Sequence, residues 1–212
     1  MKLQPPRLPQ ELTEISGLSM ISLLADEDIA ENFQLKSQQL EEVELSRKDF
    51  SRCRLTSCRL QHCRFEKVQF SDIIFESCDL SATVFSECTF HNVLFRNCKI
   101  AGAQLIECFF KETCLDEMTG RYANFTDSEF VHCAFRQSNF GEAFFAQAKF
   151  RSCTLAECNF RAADFSKAII GGLDFSSCDI AGALFSINGL KNVTVSAEQA
   201  MALALLLGIK IR

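Results

Sequence analysis

The residues of this chain best suited to metal or thiol chemistry are its twelve cysteines and three histidines. Cys53, Cys58 and Cys63 follow one another at intervals of five. Zinc sites with recognisable signatures instead use closely spaced cysteine pairs joined to a second pair or to histidines. His62, His91 and His132 are isolated, and none belongs to an H-E-x-x-H pair. There is no G-x-S-x-G elbow, no G-x-x-x-x-G-K-[ST] loop and no G-x-G-x-x-G after a strand. These observations predict neither an enzyme nor a bound cofactor or metal, and they turn attention to the interval of five itself.

From Leu35 to Val195 every fifth residue is Leu, Phe, Ile or Val at 32 of 33 positions, with Gly120 the exception. Five matches neither the helical period of 3.6 nor the strand period of 2, so the backbone itself must turn to bring these side chains into one core. Two residues before each large apolar residue from Leu55 to Leu105 stands a small or β-branched one, as in Cys78, Thr83, Cys88, Val93, Cys98 and Ala103. Residues two apart in extended chain face the same side, so each unit sends one large and one small side chain inward. Four units with corners between them close a square of 20 residues. Sampling every twentieth residue supports this: Phe50, Phe70, Phe90, Phe110, Phe130 and Phe150 form one column, and Phe125, Phe145, Phe165 and Phe185 fall in another. Coils about 4.8 Å apart make a rod of roughly 40 Å from about eight coils.

The segments ANFTD, SNFGE, CNFRA, ADFSK and LDFSS resemble the A(D/N)LXX units of pentapeptide-repeat proteins. That resemblance implies an all-β fold, a right-handed quadrilateral β-helix, and a non-enzymatic protein. Two departures stand out: cysteine where alanine is usual at the small inward site, and Gly120 at a large one. Met118, two residues before Gly120, is expected to fill the space between Ile100 and Phe140, with a local bend or a partner notch as the alternatives.

Eleven cysteines fall at small inward sites and read as buried thiols. Stacked coils place their Cβ atoms near 4.8 Å, wider than the ~3.8 Å of a disulfide. Cys114 falls outside that pattern and is expected to face outward as the candidate reactive thiol.

An unbroken register predicts one repeat body over residues 32–195, an N-terminal arm or cap with one short helix over 1–31, and a C-terminal helix and strand over 196–212. Ser196 and Gln199 have capping-box spacing, and a helix-forming run follows to Gly208. The apolar residues Met201, Leu203, Leu205, Leu206, Leu207 and Ile209 exceed what covering one coil requires. The resemblance to gyrase-protecting relatives implies that these residues form a homodimer interface.

The longest apolar run is too short to span a membrane, and no charged region followed by an apolar stretch opens the chain. A cytoplasmic protein is expected. The net charge is −5 and the aromatics point inward, which argues against direct nucleic-acid binding. Charge is uneven: residues 47–67 carry +5 and residues 68–135 carry −6. The columns Glu76, Arg96, Asp116, Arg136 and Arg59, Asp79, Lys99 alternate in sign, an arrangement that pairs charges between coils. Glu87, Glu107 and Asp127 instead stack like charges in one column, and with Asp116 and Glu117 of the same acidic segment they are grouped as the candidate partner-binding acidic column. The resemblance to loop-free Qnr-like proteins implies that such acids mimic DNA phosphates toward a type II topoisomerase, DNA gyrase or topoisomerase IV, and protect it from quinolones. The alternative is an interaction scaffold with no topoisomerase role.

Overall fold

The computed structural model describes residues 3–206 and 209, apart from the side chains of Asp26, Leu205 and Leu206. Short parallel strands pair at an offset of 20 residues throughout. Val93–Arg96, for example, lies between Ile73–Glu76 below and, at Leu94–Arg96, Cys114–Asp116 above. Four faces result. One runs without a break from Gln39 to Asp179, and another from Ile29 to Ile169. No loop interrupts the coils.

Thr13–Glu14 pairs with Phe33–Gln34, and Ile29–Glu31 pairs with Asp49–Ser51, so the ladder starts upstream of residue 32. From Thr13 to Thr194 the rod has about nine turns, about 43 Å at the strand spacing. Between those first strands lies helix α1, Gly17–Asp26, which is N-capped by Ser16 and buries Met20 and Leu24 against the first coil.

The interior is a stack of phenylalanines. Along one column the ring centroids of Phe70, Phe90, Phe110 and Phe130 follow at 5.0, 4.7 and 4.7 Å, nearly parallel. Rings of adjacent columns meet edge to face, as Phe85 and Phe90 do at 5.6 Å and 69°. Both geometries suit the aromatic quadrupole.

Backbone accounting explains the unit of five. In the unit around Leu80, three N–H groups bond along the axis: Asp79 to the Cys58 carbonyl, Leu80 to Lys99 and Ala82 to Ala101, at 2.7 to 3.0 Å. The Ser81 N–H donates to Asp79 Oδ1 at 3.0 Å, an Asx turn that accounts for the Asp/Asn of the repeat. One carbonyl and one N–H remain at each corner, and a buried backbone group left unpaired is costly.

Two solutions recur, while at Ile73 and Val93 the strands Gln69–Glu76 and Thr89–Arg96 run straight through the corner. In a closed corner the two groups bond each other, as Thr83 N–H does to the Leu80 carbonyl at 3.2 Å. The third residue of such turns has positive φ, 56° at Ala82, which with its neighbour at negative φ is the type II geometry. In an open corner the small inward residue one coil above reaches down. Ser128 Oγ donates to the Leu105 carbonyl at 2.7 Å and accepts from the Cys108 N–H at 2.9 Å.

Cysteine thiols do the same over other corners, and Thr113 Oγ1 donates to the Phe90 carbonyl at 3.1 Å. Ala103, Ala123, Ala143, Ala148, Ala163, Ala168 and Ala183 all sit above closed corners, which need no donor. Each column changes from open to closed once. The change falls between Leu60 and Leu80, between Leu105 and Phe125, between Phe130 and Ile170, and between Leu115 and Phe175.

Gly120 has its physical reason in this stack. A Cβ there would lie 2.9 Å from the Phe140 ring and 3.1 Å from Ile100, so the ring of the coil above already occupies the place. Met118 is buried in the same unit, but Phe140 and Ile100, not Met118 as expected, close the space at Gly120.

The Ser196–Gln199 capping box forms in both directions, at 2.8 and 3.2 Å, and starts helix α2, Ala197–Leu206. Gln199 Nε2 also donates to the carbonyls of Phe175 and Cys178, which ties α2 to the last coil.

Candidate functional site

All twelve cysteines are unpaired thiols. Ten of the eleven at small inward sites are buried, and Cys153 is half-buried. Burial pushes the Cys53 thiol up to about 12. Cys114 corrects the sequence expectation. It lies on an outer strand face in register with Leu94 and Ala134, yet it is 9 % exposed, and burial raises its thiol. Leu94, one coil below, is the larger of its two neighbours and shades so small an outward side chain, and a reactive surface thiol does not follow. Among the described residues, no group of three His, Cys, Asp or Glu side chains is placed to hold a metal ion.

The interior is filled apart from an apolar void of about 20 Å³ among Met20, Leu40 and Phe50, and larger concavities lie on the outside. A cleft of about 500 Å³ between α2 and the last coil is lined by Arg161, Cys178, Asp179, Glu198 and Gln199, among others. Its polar groups are largely engaged: Arg161 Nη1 meets Asp179 Oδ2 at 3.1 Å, and Ser196 and Gln199 cap each other.

The outward residues with positive φ form four corner columns along the rod. Glu87, Glu107 and Asp127 occupy one, one coil apart, with φ of 52°, 56° and 59°. Lys67 Nζ approaches Glu87 at 3.3 Å from below, and Gln147 Nε2 donates to both Asp127 oxygens from above, at 2.8 and 3.0 Å. Glu107, between them, has no ion pair among the described residues.

Asp116 and Glu117 are not part of this column. Glu117 stands ten residues, half a coil, from Glu107, so the pair marks the diagonally opposite edge. Asp116 instead lies 3.8 Å from Arg96, which also approaches Glu76 at 3.9 Å, as the alternating column predicted. Arg59, Asp79 and Lys99 are in register without forming such pairs: Asp79 accepts from Gln61 and from the Ser81 N–H.

At the C-terminus Met201 is 51 % and Ile209 53 % exposed, whereas Leu203 packs against the core. The side chains of Leu205 and Leu206, all of Leu207 and the segment 210–212 proposed as strand lie outside the described residues. No described helix is long and apolar enough to cross a membrane.

The sequence pattern missed one surface group. Arg121 bonds Glu142 and the Tyr122 hydroxyl, with its guanidinium 5.1 Å from the Tyr122 ring. Tyr122 is the chain's only tyrosine, which was the available signal.

The repeat has counterparts among known proteins. The family described as pentapeptide repeat region matches residues 48–125, and pentapeptide repeats (8 copies) match residues 143–182. No curated protein matches the sequence. Among solved structures, full-length QnrB1, a plasmid-mediated fluoroquinolone resistance protein, is 20 % identical over 93 % of this chain and 95 % of its own, with a TM-score of 0.38. HetL, a heterocyst differentiation regulation protein of the cyanobacterium Nostoc, is 14 % identical over 85 % of this chain and 94 % of its own, with a TM-score of 0.33. The repeat matches, the offset of 20 and the four-sided coil lead to one conclusion: this chain belongs to the pentapeptide-repeat family.

Proposed function

We propose that this pentapeptide-repeat scaffold acts in the cytoplasm as a DNA mimic that binds a type II topoisomerase, DNA gyrase or topoisomerase IV. The observation that carries the reading is the corner column Glu87, Glu107, Asp127. Like charges stacked on adjacent coils oppose folding, so their retention suits a basic partner surface better than it suits the rod alone. Exposed Met201 and Ile209 support pairing of two rods through the C-terminus. Such a dimer would be roughly 80 Å long or more, the length of about 24 base pairs.

A second reading is an interaction scaffold without a topoisomerase role. It is supported by Lys67 and Gln147, which already engage Glu87 and Asp127 and leave Glu107 as the one acid of the column without a polar side-chain partner among the described residues. A gyrase supercoiling assay separates the readings. The first expects inhibition, or protection from a quinolone, at micromolar protein; no effect in either format leaves the scaffold reading.

A further inference from the structure

Outward positions of the rod are mostly polar; apart from Phe109, Tyr122 and Phe144 in its middle, the exposed large apolar side chains lie toward its two ends. Near the C-terminal end Ile169 and Leu184 are 58 % and Ile187 71 % exposed. Ile187 follows Lys167 by 20 residues and opens the 3-10 turn Ile187–Leu190, and Ile169 is in register with Lys149. Lys167, Ile169 and Lys191 line one shallow outer depression of about 430 Å³ together with Asn188. Lys149, Lys167 and Lys191 are exposed and hold no ion pair among the described residues. This shoulder is apolar with a cationic margin.

At the opposite end residues 8–35 contain six acids and no lysine or arginine. Lys36, Lys48 and Arg52 of the following coil pair with Glu14, Asp28 and Glu31, which leaves Glu11 and Glu27 without an ion pair among the described residues. Leu18 is 80 %, Leu23 40 % and Ile29 52 % exposed on and just after α1. Glu27 and Asp28 lie between Leu23 and Ile29 in sequence. Asp28 bonds Lys48 yet keeps 84 % of its side chain exposed.

We infer that the N-terminal end of one copy docks on the C-terminal shoulder of another, apolar on apolar and carboxylate on lysine. The contact is independent of the topoisomerase reading and different in kind from C-terminal pairing. It joins two unlike surfaces, so it is heterologous, and a rod carrying both surfaces can add copies in series. Three aliphatic side chains on each partner make a small interface, so assembly is weak and grows with concentration. Its charged margin makes it sensitive to salt.

Light scattering after size-exclusion chromatography tests this on the full chain. The wild type is expected to gain mass with rising concentration and to lose that gain in high salt. Leu18→Glu breaks the N-terminal surface and Ile187→Glu the C-terminal one, so each variant alone is expected to stop at its smallest unit. Mixed, they retain one intact surface each and are expected to associate again. C-terminal pairing alone gives a fixed dimer that neither substitution changes and mixing does not enlarge. A wild-type mass independent of concentration, or a mixture no heavier than its components, overturns the proposal. Circular dichroism of each variant confirms the fold. Should either surface change unfold the rod, Asp28→Lys and Lys167→Glu provide the same complementation by charge reversal.

Discussion

Cys98 Sγ lies 3.4 Å from the Phe75 carbonyl oxygen and 3.4 Å from the Cys78 nitrogen, and so bridges the corner that the coil beneath leaves open. The cysteines that depart from the usual repeat are therefore backbone partners as well as core filler.

Replacing that thiol separates the two roles. Cys98→Ala keeps a small inward side chain but strands a carbonyl and an N–H, and is expected to cost about 1–3 kcal/mol. Cys98→Ser keeps the donor, as Ser128 and Ser138 do naturally, and is expected to lie closer to wild type. Urea unfolding of the three proteins gives the comparison; equal losses in both variants would falsify the bridging role.

Phe90 is fully buried between Phe70 and Phe110, with Phe85 edge-on. Phe90→Ala is expected to cost roughly 3–5 kcal/mol. A melting curve like that of the wild type is incompatible with the stacked core.

At Gly120 an added methyl group meets the Phe140 ring and Ile100. Gly120→Ala, ordinarily a mild change, is expected to destabilise by about 1–3 kcal/mol through overpacking. A stabilised variant in the same urea series counts against this packing account.

On the surface, Glu107→Lys is expected to leave the urea midpoint nearly unchanged and to weaken any effect on gyrase supercoiling. An unaltered titration in a protein that does inhibit gyrase removes the corner column from the binding surface. Glu117→Lys, on the diagonal edge, is the matched control.

The Ala181 N–H holds the Asp179 carboxyl below the usual aspartate range, with Arg161 adding to the effect. A depressed folded-state value means that this stabilisation is present above the unfolded-state value, about 3.9, and is lost as pH falls through the folded one. Asp179→Asn is expected to flatten the decline in urea midpoint as pH falls below about 4. Parallel acid profiles for variant and wild type remove Asp179 as a contributor.

The coil was legible because its core has one period and one register: Phe70, Phe90 and Phe110 align at 20 from spacing alone. The corner chemistry was less so. Cys98 reads equally well as a small hydrophobe, and its partner Phe75 is 23 residues away, an interval that appears only when the coil is built. Cys114 shows the limit of inward and outward bookkeeping, since burial of a small side chain depends on the size of its neighbours. The acids were misjudged as one group for a related reason: Glu107 and Glu117 are close in sequence and half a coil apart in space. The apolar ends were missed because Ile169, Leu184 and Ile187 follow no shared interval.

The corner rule also makes the rod a ruler. Because the small residue of each coil must suit the corner directly beneath it, a stretch of 20 residues from the alanine-bearing half can be copied in place and still meet matching neighbours on both sides. Each such copy lengthens the molecule by about 4.8 Å without refitting anything else. The same stretch moved into the cysteine-bearing half leaves corner carbonyls unanswered. Length is thus adjustable in fixed steps at one end of the rod and resistant to change at the other.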